Sequence, residues 1–444
     1  MYMDLEERRL PCHIVCSSHV LVTFFPIVTF VLLPTAVVVL VEIGDAYLLL
    51  FLGQLMLAVA VIEWSWLAFR IRQRLLLAIT IHDDDILATK QEIGELEPQI
   101  QEQEIQERED QPVLTREDPR ERYARQLYES MRAKSFAIDP MVSKMCCGRW
   151  YIAALLLALL GAVVSVVLAY ALNGNNPASG WHMTIGASVE AAFVSIFCSS
   201  LAPSATDAVV VIIYQICVLV ASMNAFVKLQ LHFIASDAQI EPLFIILVGA
   251  IIIIVFRVVT SKVVMQSLLL VLCDMLGLVC IVSPLIAFAD LMDETMSQSL
   301  RNQLALFVLV VLAADVGDTL AKELQLHWPL AFKWCRPPLL KSGAITKHIE
   351  ASIISMTCGA VMFAAVRLGS DGSDFSFVEV VVLFGAIAIG QWCRQWMTHV
   401  RQMAKVSTSA FYFPVDSRSY GVLDRMAVFL AAIVVYYPYI KQCF

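Results

Sequence analysis

Two carboxylates three residues apart, Asp315 and Asp318 in the stretch AADVGDT, stand at the end of an apolar run. On a helix they fall within one turn, from where both can aim at a common cation; a wetted helix end is the plainer alternative. A basic loop follows, with Lys322, Lys333, Arg336, Lys341 and Lys347, and ends in KHIEAS, where Glu350 opens the next apolar run. A second basic loop, with Arg394, Arg401, Lys405 and Arg418, ends in SYGVLDR, where Asp424 and Arg425 open the last run. If the chain brings these stretches together, one mouth holds acids for a divalent metal and cations for phosphates. Phosphoryl or nucleotidyl transfer uses that pairing: carboxylates and substrate phosphates hold Mg²⁺, and Lys or Arg neutralises charge developing on the leaving group. Either basic loop alone is explained by topology. Two of them, each ending in an acid beside an apolar boundary, favour the functional reading.

Three further acids fall inside apolar runs, where a carboxylate is costly and faces a cavity or a partner. Glu63 is close to Arg70 and Arg72 at a helix end, so pairing or snorkelling accounts for it. Glu190 lies in a weakly apolar run. Asp274, in LCDMLGL, suits an interhelical hydrogen bond and a functional role equally.

The elements that must position these groups are membrane helices. The chain is 59% hydrophobic and 16% charged, with a mean hydropathy of +0.74, well outside the range of a soluble domain. Apolar runs of the length that spans a bilayer recur, without strand alternation. They predict an all-α, polytopic transmembrane bundle of about eleven spans with one charged cytosolic segment. The expected spans are Val20–Val41, Tyr47–Phe69, Tyr151–Leu172, Met183–Leu201, Ala208–Val227, Pro242–Phe256, Val263–Phe288, Leu304–Leu320, Ile349–Val366, Phe377–Cys393 and Met426–Ile440. With the amino terminus in the cytosol, all but four (Lys228, Arg301, Arg367, Lys441) of the 31 Lys and Arg residues fall on the cytosolic side, as the positive-inside rule expects.

The organisation expected is an amino-terminal hairpin over 1–75, a charged and partly helical cytosolic linker over 76–148, and a multi-span membrane domain over 149–444. In the linker, Pro98 breaks an apolar spacing too short for a coiled coil. Much of the acid behind the formal charge of −8 sits in that linker, so nucleic-acid binding is not expected. The twelve cysteines are scattered and mostly apolar in context. Cys12, Cys16, His13, Cys146 and Cys147 have zinc-ligand chemistry, but packing or palmitoylation is the stronger reading.

From about Val263 to the carboxy terminus the chain resembles the CTP-using membrane family of phosphatidate cytidylyltransferases, also called CDP-diacylglycerol synthases. AADVGDTLAK, KHIEASI and GVLDRMAVFLAAIVVYY carry the resemblance, the last being similar to the family's terminal Gly-x-x-Asp-Arg segment. The resemblance implies a CDP-diacylglycerol synthase acting with Mg²⁺ on the cytosolic face, in the endoplasmic reticulum, with CTP and phosphatidic acid as substrates; a homodimer is compatible with it. It further implies Asp315, Asp318 and Asp424 as metal ligands, and Asp424, Arg425 and Lys347 as catalytic groups. Lys341, Lys347 and Arg425 would contact phosphates, and Glu350 would order the nucleotide-binding loop.

The chain departs from the family's pattern at four places, one being that the family's upstream Lys-Asp pair is not evident around Ala410 and Phe411. Ser417 to Gly421 replace the family's Pro-Gly-His-Gly-Gly, Ala427 stands where a second acid follows the Asp-Arg, and Gln391 stands where an acid is expected after Gly390. VGDT is also similar to dolichol kinases, which use CTP to phosphorylate a polyprenol. A dolichol-kinase-like enzyme, a catalytically inactive relative and a membrane transporter using Glu190, Asp274 and Asp315 are the alternatives.

Overall fold

Long runs of Leu, Val, Ile, Ala and Phe can satisfy their backbone polar groups without water only by coiling into helices, and every regular element described is helical. The structure is a computed structural model that describes residues 46–93, 137–138, 142, 150–173, 181–230, 240–261, 264–291, 298–327, 343–369, 376–403 and 422–443. The helices are α1 (Ala46–Ile93), α2 (Trp150–Asn173), α3 (Trp181–Ser200), α4 (Ala205–Gln230), α5 (Pro242–Thr260) and α6 (Val264–Gly277). They continue with α7 (Ser283–Leu291), α8 (Gln298–His327), α9 (Gly343–Gly369), α10 (Phe377–Met403) and α11 (Val422–Cys443). A π-helical turn, Leu278–Val282, joins α6 to α7.

Among the described residues eight stretches are long and apolar enough to cross a bilayer: Leu48–Gln73, Trp150–Leu168, Ala205–Ala225, Pro242–Thr260, Val264–Leu291, Ala351–Leu368, Phe377–Thr398 and Met426–Cys443. The chain is an integral membrane protein. The expected span Val20–Val41 lies outside the described residues. Met183–Leu201 falls on α3, of which Ile185–Ser200 is apolar. Leu304–Leu320 falls within α8.

Burial explains how the helices are arranged. On α5 only one stripe is covered, Ile245, Gly249, Ile253 and Arg257 at four-residue steps, while Leu243, Ile251, Val255 and Val259 on its other faces are exposed. Leu155, Leu160, Val164 and Val167 of α2 are exposed in the same way. In water so large an apolar surface would aggregate; in a bilayer it faces lipid. In contrast, α8 is covered along its middle, with Phe307, Val310, Val311 and Ala314 buried. Phe307 stacks on Tyr436 of α11 at 4.6 Å between ring centroids.

The expected hairpin and linker meet within one element. Helix α1 packs against α3, α4, α6, α7 and α11 and runs on as helix to Ile93, through the start of the charged segment. The rest of that segment, apart from Ala137, Ile138 and Val142, and the cysteines at 12, 16, 146 and 147 lie outside the described residues.

Candidate functional site at one end of the bundle

The sequence stretches singled out for chemistry belong to α8, α9, α10 and α11; α8 packs on the other three, and α10 packs on α9 and α11. Consecutive spans alternate in direction, so the end of α8, the start of α9, the end of α10 and the start of α11 share one end of the bundle. Two glycines let the backbones close in. A Cβ on Gly317 would meet Cys358 Cβ at 2.8 Å, which brings α8 against α9 between Asp315 and Asp318. A Cβ on Gly390 would meet the carbonyl oxygen of Val428 at 2.7 Å, which brings α10 against α11. Small residues at such crossings are how membrane helices gain contact without a hydrophobic drive between them. One turn on from Gly390 is Arg394, and one turn back from Val428 is Asp424. Because α10 and α11 run antiparallel, these steps lead the same way, and the backbone of Asp424 is level with Arg394.

Arg394 organises the described part of this end. The buried face of α10 runs Leu383, Ala386, Ile387, Gly390, Gln391, Arg394 and Met397, a helical stripe that carries the guanidinium inward. Nη1 of Arg394 pairs with Asp315 and Nη2 with Asp318. Its Nη2 also donates to Gln391 Oε1 at 3.1 Å. Gln391 Nε2 donates to Ser355 Oγ at 2.8 Å, and Ser355 Oγ donates to the carbonyl oxygen of Ala314 at 2.6 Å. Beside this chain, Gln395 donates to Ser352 Oγ at 3.0 Å. An open groove of about 500 Å³ runs from there between α9 and α10, past Met356, Thr357, Ala360 and Phe384.

Asp315 and Asp318 do face a common cation, and it is Arg394, which sequence reasoning had left in a basic loop. The helical stripe through Gly390 and Gln391 was the signal that could have placed it inside. Among the described residues no three His, Cys, Asp or Glu side chains converge as metal ligands. The described side chains do not by themselves fit Mg²⁺. Lys347 and Glu350 lie in the first turns of α9, and Asp424 and Arg425 in the first turn of α11, but their side chains are outside the description, as is Lys341 altogether.

A second polar assembly lies among α1, α4, α5 and α6. Ser204 caps α4: the backbone N–H of Asp207 donates to Ser204 Oγ at 3.1 Å, and Ser204 Oγ donates to Asp207 Oδ2 at 2.7 Å. Nη2 of Arg72 reaches both Asp207 oxygens at 2.8 Å. Arg257, only 1% exposed, donates to Asp207 at 2.6 Å and from Nε to Asp274 at 2.5 Å. The hydroxyl of Tyr214 donates to the Asp274 carbonyl at 2.5 Å. Two guanidinium groups thus face two carboxylates, which is how charge is tolerated at membrane depth. Asp274 therefore takes part in interhelical pairing; Asp207 and Arg257 were not singled out from sequence.

Glu63 does not simply follow Arg72 to the helix end. It lies about 13 Å further back along α1 and accepts a hydrogen bond from the backbone N–H of Leu423 at 2.7 Å, at the start of α11. Glu190 is half-buried on α3. The opposite end of the bundle holds its own pairs, Arg367 with Glu379 and Lys441 with Asp290, the latter at 2.7 Å. No protein-family model, no curated protein and no solved structure matches this chain.

Proposed function

We propose that this chain is a membrane-embedded, CTP-dependent transferase of the phosphatidate cytidylyltransferase type. It would work at the cytosolic end of an eleven-span bundle, in the endoplasmic reticulum membrane, and make CDP-diacylglycerol for phospholipid synthesis. The observation that carries this reading is the meeting of α8, α9, α10 and α11 at one end. That meeting brings the Asp315–Asp318 turn, the Arg394 level of α10 and the backbone of Asp424 and Arg425 to one mouth. The groove between α9 and α10, apolar along its length and polar at Ser352 and Gln395, suits a lipid whose chains lie in the bilayer and whose headgroup stands at the mouth.

In this reaction an oxygen of the phosphatidic acid phosphate attacks the α-phosphorus of CTP. A new P–O–P bond forms, the bond between the α- and β-phosphates breaks, and pyrophosphate leaves. The attacking phosphate is already an anion, so no general base is needed, and alignment of the two phosphates supplies much of the rate. Lys341, Lys347 and Arg425 would neutralise the phosphates, Asp424 would help hold the Mg²⁺ beside them, and Glu350 would order the nucleotide-binding loop. Mg²⁺ enters this reading only as the counter-ion of the nucleotide, whose phosphates supply most of its ligands.

One observation favours a second reading, a relative that keeps the site without the turnover: Arg394 engages both Asp315 and Asp318. Purified protein in lipid nanodiscs separates the two. Release of pyrophosphate from CTP only when phosphatidic acid is present supports the transferase. Binding of CTP without release supports the non-catalytic relative, and no binding of CTP at all rejects both.

A further inference from the structure

We infer that Asp315 and Asp318 form a cation site whose occupant is the chain's own Arg394, so that a divalent ion binds there only once that guanidinium is removed. Both carboxylates are buried, Asp318 being 4% exposed, and Arg394 is 6% exposed. Carboxylates one turn apart at that depth stay charged only with a cation between them. Nη1 of Arg394 takes Asp315 and Nη2 takes Asp318, a division of labour that suits a planar, permanently charged fork.

The surroundings hold the fork in that position. Gln391 accepts from Arg394 Nη2 at 3.1 Å and donates to Ser355 at 2.8 Å. Ser355 Oγ donates a hydrogen bond to the Ala314 carbonyl, one residue before Asp315. The amide at position 391 both accepts from the guanidinium and donates to the hydroxyl. A carboxylate there would lose the donor and set three acids around one arginine. Gln391 and Arg394 are therefore two parts of one arrangement, and Gly317 lets α9 approach closely enough for Ser355 to complete it.

Charge decides against a metal beside the arginine. A divalent ion added beside the guanidinium would meet its positive charge at close range where little water screens it. Mg²⁺ also requires near-octahedral oxygen ligation and keeps several waters, and the guanidinium seated on both carboxylates takes the positions their oxygens would offer it.

The inference does not depend on CTP turnover, and its test reads metal alone. Mn²⁺ binding is followed by electron paramagnetic resonance on the full chain in nanodiscs, for the wild type, Arg394→Gln, and Arg394→Gln combined with Asp315→Asn. The wild type is expected to show no Mn²⁺ site that Asp315→Asn removes. Arg394→Gln is expected to bind one Mn²⁺ at least tenfold more tightly, and the double variant to lose it. If Arg394→Gln is not monodisperse, Arg394→Met replaces it, and the wild-type measurement decides by itself: a Mn²⁺ site in the wild type that Asp315→Asn or Asp318→Asn abolishes overturns the inference. So does a well-folded Arg394→Gln protein that binds Mn²⁺ no better than the wild type.

Discussion

The carboxylate of Glu63 caps the last helix of the chain, accepting the backbone N–H of Leu423 at 2.7 Å across 360 positions of sequence. Leu423 is among the first residues of α11, and the first N–H groups of a helix have no partner within it. Here that partner comes from α1, and the next residue is Asp424. The amino-terminal element, which has no part in the family resemblance, thereby fixes where the Asp424 turn begins.

Glu63→Ala leaves a buried N–H without its acceptor and is expected to cost about 1–3 kcal/mol. Glu63→Gln keeps a side-chain oxygen and should lose distinctly less. Thermal unfolding of the detergent-solubilised protein, read by size-exclusion chromatography after heating, checks this. Equal losses from the two variants would count against the cap.

The Arg257 network sets a second expectation. Arg257→Met strands Asp207 and Asp274 beside the single remaining guanidinium of Arg72. Breaking a buried pair from one side costs about 3–5 kcal/mol. Adding Asp274→Asn to Arg257→Met removes one stranded charge and should recover part of the loss. A double variant less stable than Arg257→Met alone would show that the two residues are not coupled.

Helix contact predicts opposite outcomes at two glycines of α10. Gly390→Ala drives a Cβ to 2.7 Å from the Val428 carbonyl, whereas a Cβ at Gly385 meets nothing within 4 Å. Gly390→Ala should destabilise and push α11 from α10. Gly385→Ala should be neutral or stabilising by up to roughly 1 kcal/mol through helix propensity. Matching melting temperatures for the two variants would contradict the close packing.

The span pattern was legible in the sequence because bilayer length and apolar composition are local properties. The partners of the buried charges were not. Asp315 and Asp318 read as two acids aimed at one cation, but Arg394 is 79 and 76 residues away, and its own neighbourhood reads as a basic loop. Arg257, too, looks like a boundary arginine until it is seen as the last step of the stripe from Ile245 through Gly249 and Ile253. Glu63 sits near two arginines in sequence, yet its recorded bond is to a backbone group that no side-chain pattern announces. Gln391 stood out only as a missing acid; the hydrogen bonds it makes in both directions give the amide a positive role.

The most direct test of the proposed activity is incorporation of label from α-labelled CTP into lipid by the protein in proteoliposomes containing phosphatidic acid, beside Asp424→Asn and a polyprenol arm with γ-label. A labelled lipid formed with phosphatidic acid, dependent on Asp424 and absent from the polyprenol arm, is the predicted result. Folded wild-type protein that labels no lipid in either arm would contradict the transferase.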